Sequence, residues 1–227
     1  MDILKVENLT KIYGSNDTKV VALDHLHLTI PEGQFVSVMG PSGSGKSTFL
    51  HMLGGVDIPT EGKVWIDQTD IAALNETKMA IFRRRNIGLI YQAFHLVPTL
   101  TVEKNIMLPM LLDGRKPDRE EFQRLVELLG LSNRLQHFPD ELSGGQKQRT
   151  AIGRALLCHP AVILADEPTG NLDQENTKSI ITLLKQANQE YRQTIVMITH
   201  DEEIAQAADR MIQIEDGRIV SDEVTAL

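Results

Sequence analysis

The chain has 227 residues, 41% of them hydrophobic and 24% charged, with a formal net charge of −8. That suits one α/β domain with a sizeable core and room for an inserted subdomain, and the acidic balance argues against a nucleic-acid surface as its main business. The single cysteine, Cys158, leaves no disulfide framework or cysteine metal site and fits a reducing compartment; with no bilayer-spanning apolar run and no signal peptide, any membrane role must go through a partner.

Residues 1–35 read as strands. Leu4-Lys5-Val6 alternates, as does His25-Leu26-His27-Leu28-Thr29-Ile30 before the turn Pro31-Glu32-Gly33. A polar loop, Tyr13-Gly14-Ser15-Asn16-Asp17, lies between them. Tyr13 reads as a packing residue or, by its ring face, as a platform for a stacked base. His25 and His27 share a strand face without a visible third ligand, so they read as solvated positions rather than a metal pair.

Phe35-Val36-Ser37-Val38-Met39 is apolar and β-branched enough for a buried strand. Gly40-Pro41-Ser42-Gly43-Ser44-Gly45-Lys46-Ser47-Thr48 follows and fits the phosphate-binding pattern G-x-x-x-x-G-K-[ST]. Phe49–Leu53 can be helical, with Gly54-Gly55 as the stop. The glycines then sit on a strand-to-helix turn, where backbone must approach a ligand closely. The free N–H groups at the helix start cradle phosphate, Lys46 neutralises its oxygens, and the Ser47 hydroxyl holds Mg²⁺. The expected ligand is a nucleotide.

Gly62–Ile66 reads as another strand and residues 76–85 as a helix ending in Arg83-Arg84-Arg85, a solvated face, with contact to an acidic lipid or partner as the lesser alternative. Ile87–Gln92 is a core strand ending in an amide, followed by the proline-broken apolar segment Phe94–Leu100. Residues 103–158 read as helices, with Phe122, Leu125, Val126, Leu128 and Leu129 spaced for one buried stripe and Gly130 as a stop. Residues 93–159 are the expected helical insert, between core segments 1–92 and 160–227. Inside it, Leu142-Ser143-Gly144-Gly145-Gln146 opens a helix that runs toward Pro160, with Ser143 as N-cap. Two glycines at a helix start again leave N–H groups for an anion.

Ala161–Ala165 is a continuous apolar run, as a doubly covered parallel strand requires, and it ends in Asp166-Glu167. One carboxylate there can accept from Mg²⁺-bound water, and the next can face an attacking water. Pro168–Asp173 is turn-rich, and Asp173 can cap the next helix. Thr194–Thr199 is a further strand, ending in His200, and Met211–Val220 reads as a hairpin with an Asp-Gly turn. Gly40, Gln92, Asp166-Glu167 and His200 thus stand at the carboxyl ends of four strands, where open parallel sheets bind ligands.

In this order and spacing the motifs resemble the ATP-binding subunit of ABC transporters, over essentially the whole chain. GPSGSGKST at 40–48 resembles the Walker A loop, LSGGQ at 142–146 the family signature, and VILADE at 162–167 the Walker B strand with its catalytic glutamate. Gln92 is similar to the Q-loop amide, which also reaches the metal, NLD at 171–173 to the D-loop, His200 to the switch histidine, and Tyr13 to the adenine-stacking aromatic. The resemblance implies the ABC ATPase fold: a mostly parallel core sheet, an N-terminal antiparallel β subdomain and an inserted helical subdomain. It implies a homodimer with each ATP between Gly40–Thr48 of one copy and Ser143–Gln146 of the other, with Mg²⁺ on Ser47, Gln92 and Asp166. It further implies hydrolysis by Glu167, Lys46 and His200, and Gln92 reporting to a membrane permease whose coupling helix meets Phe94–Leu100.

LADEPTGNLD at 164–173, IMLPMLLDGRKP at 106–117 and the short C-terminus resemble the subfamily that works with FtsX/MacB-type permeases. That implies a peripheral subunit on the cytoplasmic face of the membrane, in export or in peptide-antibiotic resistance of the bacitracin or lantibiotic type. The alternative is a soluble ABC-type ATPase of repair, chromosome or translation complexes. Those usually carry coiled-coil insertions or two cassettes, which 227 residues do not accommodate. A kinase would lack LSGGQ, a GTPase should show Asn-Lys-x-Asp, and an importer subunit often carries a further domain after the hairpin.

Overall fold

The computed structural model describes residues 1–15 and 18–225. The chain runs β1 (Asp2–Tyr13), β2 (Val20–Pro31), β3 (Phe35–Met39), α1 (Lys46–Leu53), β4 (Glu61–Ile66), β5 (Thr69–Asp70), α2 (Glu76–Asn86) and β6 (Ile87–Tyr91). It continues through α3 (Val102–Leu112), α4 (Arg119–Leu128), α5 (Gly144–Leu156), β7 (Val162–Asp166), α6 (Gln174–Tyr191), β8 (Ile195–Ile198), α7 (Glu202–Ala205), β9 (Arg210–Glu215) and β10 (Arg218–Val224).

Two sheets form. An antiparallel one has the order β2-β1-β4-β5. The other has the order β10-β9-β3-β8-β7-β6, with β10 antiparallel on β9 and the remaining neighbours parallel. From β3 the chain goes out to the β6 edge, returns through β7 and β8 to lie beside β3, and then crosses to β9. The carboxyl ends of β3, β8, β7 and β6 therefore stand side by side, which is the expected ligand edge.

Strand parity divides the core. Val36, Val38, Val162, Leu164, Val196 and Ile198 pack on one face with α1 and the antiparallel sheet. Phe35, Ile163, Ala165, Ile195 and Met197 pack on the other with α3, α4, α5 and α6. Successive side chains of a strand point to opposite faces, and both faces are covered, so these strands read as unbroken apolar runs. Helices α3–α5 have no core of their own; they share theirs with the sheet.

Ser143 and Asp173 cap α5 and α6 as expected, and Asp118 caps α4; each accepts from a backbone N–H of its helix's first turn. Phe122, Leu125 and Val126 are the buried face of α4. The Asp216-Gly217 turn has φ 46 and 74, both left-handed, as a tight hairpin turn demands. His25 and His27 are exposed.

Some boundaries differ from expectation. β2 begins at Val20, well before His25, because long-range pairing with β1 carries it (Tyr13 opposite Val20). α5 ends at Leu156 rather than at Pro160, with His159 already left-handed at φ 48. Phe94–Leu100 is partly to fully exposed, and the buried Asn105 holds it by bonds to the Val97 N–H and to the carbonyls of Val97, Leu100 and Thr101. Of the loop expected at 13–17, Asn16 and Asp17 lie outside the described residues.

Candidate nucleotide-binding site

The loop after β3 is built for close backbone approach. Gly40 has φ 146, and a Cβ there would lie 2.0 Å from the Ile214 carbonyl; Gly45 has φ 102, and its Cβ would lie 2.3 Å from the Ala22 carbonyl. Gly45 is also the N-cap of α1, without a side-chain cap. The first N–H groups of α1 therefore point outward with no partner from a cap. Lys46 is buried, and its Nζ donates to the carbonyls of Gly40 and Pro41, 2.8 Å each. The loop thus arches over the ammonium, which stands where phosphate oxygens would gather.

A cleft of about 490 Å³ opens at this loop, lined by Gly40, Ser42, Gly43, Gly45, Lys46, Ser47 and Thr48 with Val20, Val21 and Ala22 of β2, Glu167 and His200. Ser44 is buried with its hydroxyl unpartnered. His200 Nδ1 lies 3.1 Å from Glu167 Oε1. Glu167 takes φ 43, a left-handed conformation that costs a non-glycine residue energy. Such strain is kept only where the surroundings over-determine it.

Burial pushes the Asp166 carboxyl above its ordinary pKa; neighbouring His51 opposes this, Glu167 adds to it, and the Ser47 hydroxyl and Lys46 pull it back. A half-buried carboxylate beside a hydroxyl is relieved by a cation. Ser47, Asp166 and the Gln92 amide offer oxygen donors alone, as a hard divalent ion prefers. Among the described residues no group of at least three His, Cys, Asp or Glu could hold a metal, so protein carboxylates alone do not complete such a site.

Tyr13 is exposed at the end of β1, and its hydroxyl donates to Asp57 at 2.9 Å. Burial opposes the Asp57 charge, yet Lys11, the Ile58 N–H and Tyr13 together hold its carboxyl below the usual range. Lys11 Nζ sits 4.8 Å from the ring centroid of Tyr13. The ring is thus pinned at its hydroxyl, with a cation over one face.

Gln92 and Asn171 bond reciprocally: Gln92 Nε2 donates to Asn171 Oδ1 at 3.3 Å, and Asn171 Nδ2 donates to the Gln92 carbonyl at 3.0 Å. This joins the β6 end to the loop after β7. Asp173 accepts from the N–H and the side-chain amide of Asn176, 2.8 Å each, which hold its carboxyl below the usual range. Ser143 and Gln146 form a complete capping box: the Gln146 N–H donates to Ser143 Oγ, and the Ser143 N–H to Gln146 Oε1. A Cβ on Gly145 would lie 2.1 Å from Asn176 Oδ1, so the start of α5 is packed on the start of α6.

Within one chain, Ser143, Gly144, Gly145, Gln146 and Asp173 do not line the cleft that joins Lys46, Glu167 and His200. Ser143, Gly144 and Asp173 are exposed. Residues not singled out from sequence also shape the site: Val20 and Val21 wall the cleft, Asp57 fixes Tyr13, and Asn171 grips Gln92. Asn171 alone lay within a recognised motif; the others join positions far apart in sequence.

A glycine-rich loop between a parallel strand and a helix, with an acid at the end of β7, defines a phosphate-loop nucleotide-binding protein. The sequence pattern of the ABC transporter family matches residues 23–170. An uncharacterised ABC transporter ATP-binding protein of Methanocaldococcus jannaschii is 46% identical, over 96% of this chain and 98% of that protein. A lipoprotein-releasing system ATP-binding protein LolD of Chlorobium chlorochromatii is 42% identical over 97% and 91%. The macrolide export ATP-binding/permease protein MacB of Bdellovibrio bacteriovorus is 43% identical over 97% of this chain but only 34% of its own length. Two dimeric structures of the ATP-binding cassette MJ0796, one of them a post-hydrolysis state bound to ADP and Pi, match with TM-score 0.89 and 40% identity over 99% of both chains. The chain belongs to the ABC transporter family and is an ATP-binding, ATP-hydrolysing subunit of its MacB/LolD-like branch. No helix among the described residues is long and apolar enough to cross a membrane.

Proposed function

We propose that two copies of this chain close head to tail over two Mg·ATP and drive a membrane permease of the FtsX/MacB kind. One observation carries this reading: the cleft gathers Lys46, Ser47, Glu167 and His200, while the anion-ready start of α5 stands exposed outside it. A second copy can supply Ser143, Gly144, Gly145 and Gln146 to the γ-phosphate of the first. The dimeric cassettes of 40% identity support the pairing.

The chemistry follows from the side chains. The loop N–H groups and Lys46 bind the β- and γ-phosphates of ATP, and Thr48 extends the loop into α1. Tyr13 stacks the base with the face Lys11 leaves free. Ser47, Asp166 and Gln92 would hold Mg²⁺, which supplies charge neutralisation to the phosphates. Glu167 accepts from the attacking water and aims its oxygen at the γ-phosphorus. His200, 3.1 Å from Glu167, holds that carboxylate and the γ-phosphate side of the cleft. Lys46 neutralises the negative charge that builds on the phosphate oxygens as the bond to the leaving ADP breaks. With the phosphate released, the attraction between the two copies is lost, and the pair opens.

The permease would dock at the β6 edge. A groove of about 430 Å³ there is lined by Ala80, Arg83, Leu89, Tyr91, Leu108, Leu112 and Arg154, among others. Phe94–Leu100 does not line it; the neighbouring α2 and α3 do. Residues 93–159 would move with the permease as the helical insert, and residues 1–92 and 160–227 would hold the nucleotide. The subunit then sits peripherally on the cytoplasmic face of the membrane. Export is the activity that likeness to LolD and MacB supports; peptide-antibiotic resistance is the narrower reading of the LLDGRKP stretch.

The test is Glu167→Gln with Mg·ATP, followed by size measurement in solution. A dimer that disappears when ATP is withheld is expected. A monomer at saturating ATP, with nucleotide bound, would remove the shared-site reading.

A further inference from the structure

The turn that carries Glu167 is held from a side that lies outside the nucleotide cleft. Gln148, inside α5, is fully buried, and its Nε2 donates to the Pro168 carbonyl at 2.6 Å. Only the amino end of an amide can serve a carbonyl, so this bond sets the orientation of the side chain. Its Oε1 is left buried without a partner. An unpartnered buried oxygen destabilises a protein, and an apolar side chain of the same size would avoid that. The amide is therefore poorly explained by stability alone.

What the bond holds is the strained element of the site. Glu167 has φ 43. Its N–H donates to the Ile198 carbonyl, and its carbonyl accepts from the Gly170 N–H, both at 3.1 Å. The Gln148 bond ties the backbone of this turn to another element, whereas His200 meets only the Glu167 carboxylate. The same helix also grips the segment after Gln92: Arg154 donates to the carbonyls of Phe94 and His95 at 3.0 and 2.6 Å. One rigid helix thus connects the exposed Ser143 start with the backbone on either side of the ligand edge.

We infer that Gln148 is a positioning residue for Glu167: by fixing the Pro168 carbonyl it holds the left-handed turn that aims the carboxylate at the attacking water. The inference rests on Glu167 being the catalytic carboxylate. It also gives α5 a second task. A phosphate seated on the Ser143–Gln146 turn from the partner copy bears on the same helix that sets this chain's own Glu167.

The experiment is a double-mutant cycle on the full chain: parent, Gln148→Met, Glu167→Gln and the pair. Methionine keeps length and volume but cannot donate. ATP turnover, nucleotide affinity and melting temperature are measured for each. Gln148→Met should lower kcat roughly tenfold, the effect expected of one lost buried hydrogen bond, with KM and affinity within about twofold of the parent. On the Glu167→Gln background the same change should add no further loss. An equal loss in both backgrounds, or an unchanged kcat in Gln148→Met, would overturn the inference. Parental turnover in Glu167→Gln would instead overturn the role given to Glu167. If Gln148→Met does not fold, Gln148→Glu reads the same bond. Its carboxyl donates only when protonated, so its kcat relative to the parent should rise as pH falls. A ratio flat with pH would count against the inference.

Discussion

The starts of α1 and α5 both open on glycines, yet they solve the same problem differently. At α1 the N-cap is Gly45, which has no side chain to give, and a buried lysine stands beside it. At α5 Ser143 and Gln146 cap each other, and Ser143 and Gly144 are exposed. The first turn of α1 has no side-chain cap for its N–H groups, whereas that of α5 is capped by its own residues. In the proposed dimer the uncapped start would hold the nucleotide, and the self-capped one would meet it from the partner copy.

Lys46→Ala should remove nucleotide binding and with it nearly all turnover, since the loop then has no charge to set against the phosphates. Retention of normal ATP affinity, by equilibrium titration, would place the nucleotide elsewhere. Glu167→Gln should leave affinity near the parent's and lower turnover by about 10²–10³-fold.

The start of α5 is best tested by a single substitution. Gly145 is unsuitable, because any Cβ there strikes Asn176 and disturbs the cap of α6 in the same chain. Gly144 is cleaner: its Cβ would meet only Leu172, at 3.4 Å. Gly144→Val should spare nucleotide binding by the single chain but abolish ATP-driven pairing, read by light scattering. Loss of binding to the monomer would show that α5 serves its own chain's site. Ser143→Ala should cost about 1 kcal/mol, the worth of an N-cap, seen as a melting point lower by about 2–4 °C.

The smallest effect tests the metal side of the cleft. Burial raises the Asp166 pKa, so the folded state holds its proton more tightly than the unfolded chain does. That favours folding below the unfolded pKa, and the advantage is lost as pH rises through the folded one. With chelator at pH 7.5, Asp166→Asn should therefore melt slightly higher than the parent, by about 1–2 °C, because the carboxylate is partly solvated. The gap should close near pH 4, and Mg²⁺ should restore the parent but not the variant. A parent that melts higher in chelator would reverse the sign assigned to this carboxylate.

Much of the fold is legible in the sequence. Phe35–Met39, Ile87–Tyr91 and Ala161–Ala165 read as strands from their short, largely unbroken apolar runs, and β3, β6 and β7 lie there. Ser143 and Asp173 announced caps that the fold contains. The beginning of β2 was hidden, because Val20 and Val21 are exposed and belong to a strand only by pairing with β1. Phe94–Leu100 is apolar by composition yet partly to fully exposed, and the walls that α2 and α3 give the neighbouring groove leave no mark on its sequence.

Local chemistry therefore determined the strands, the caps, the phosphate loop and the order of site residues, because a period of side chains or a required φ leaves a mark on neighbouring positions. Tertiary structure alone decided which distant groups hold those residues in place. Tyr13 meets Asp57, Gln92 meets Asn171, and Gln148 meets Pro168. A hydrogen bond between residues far apart in sequence imposes no spacing on either, so only the folded chain brings its two ends together.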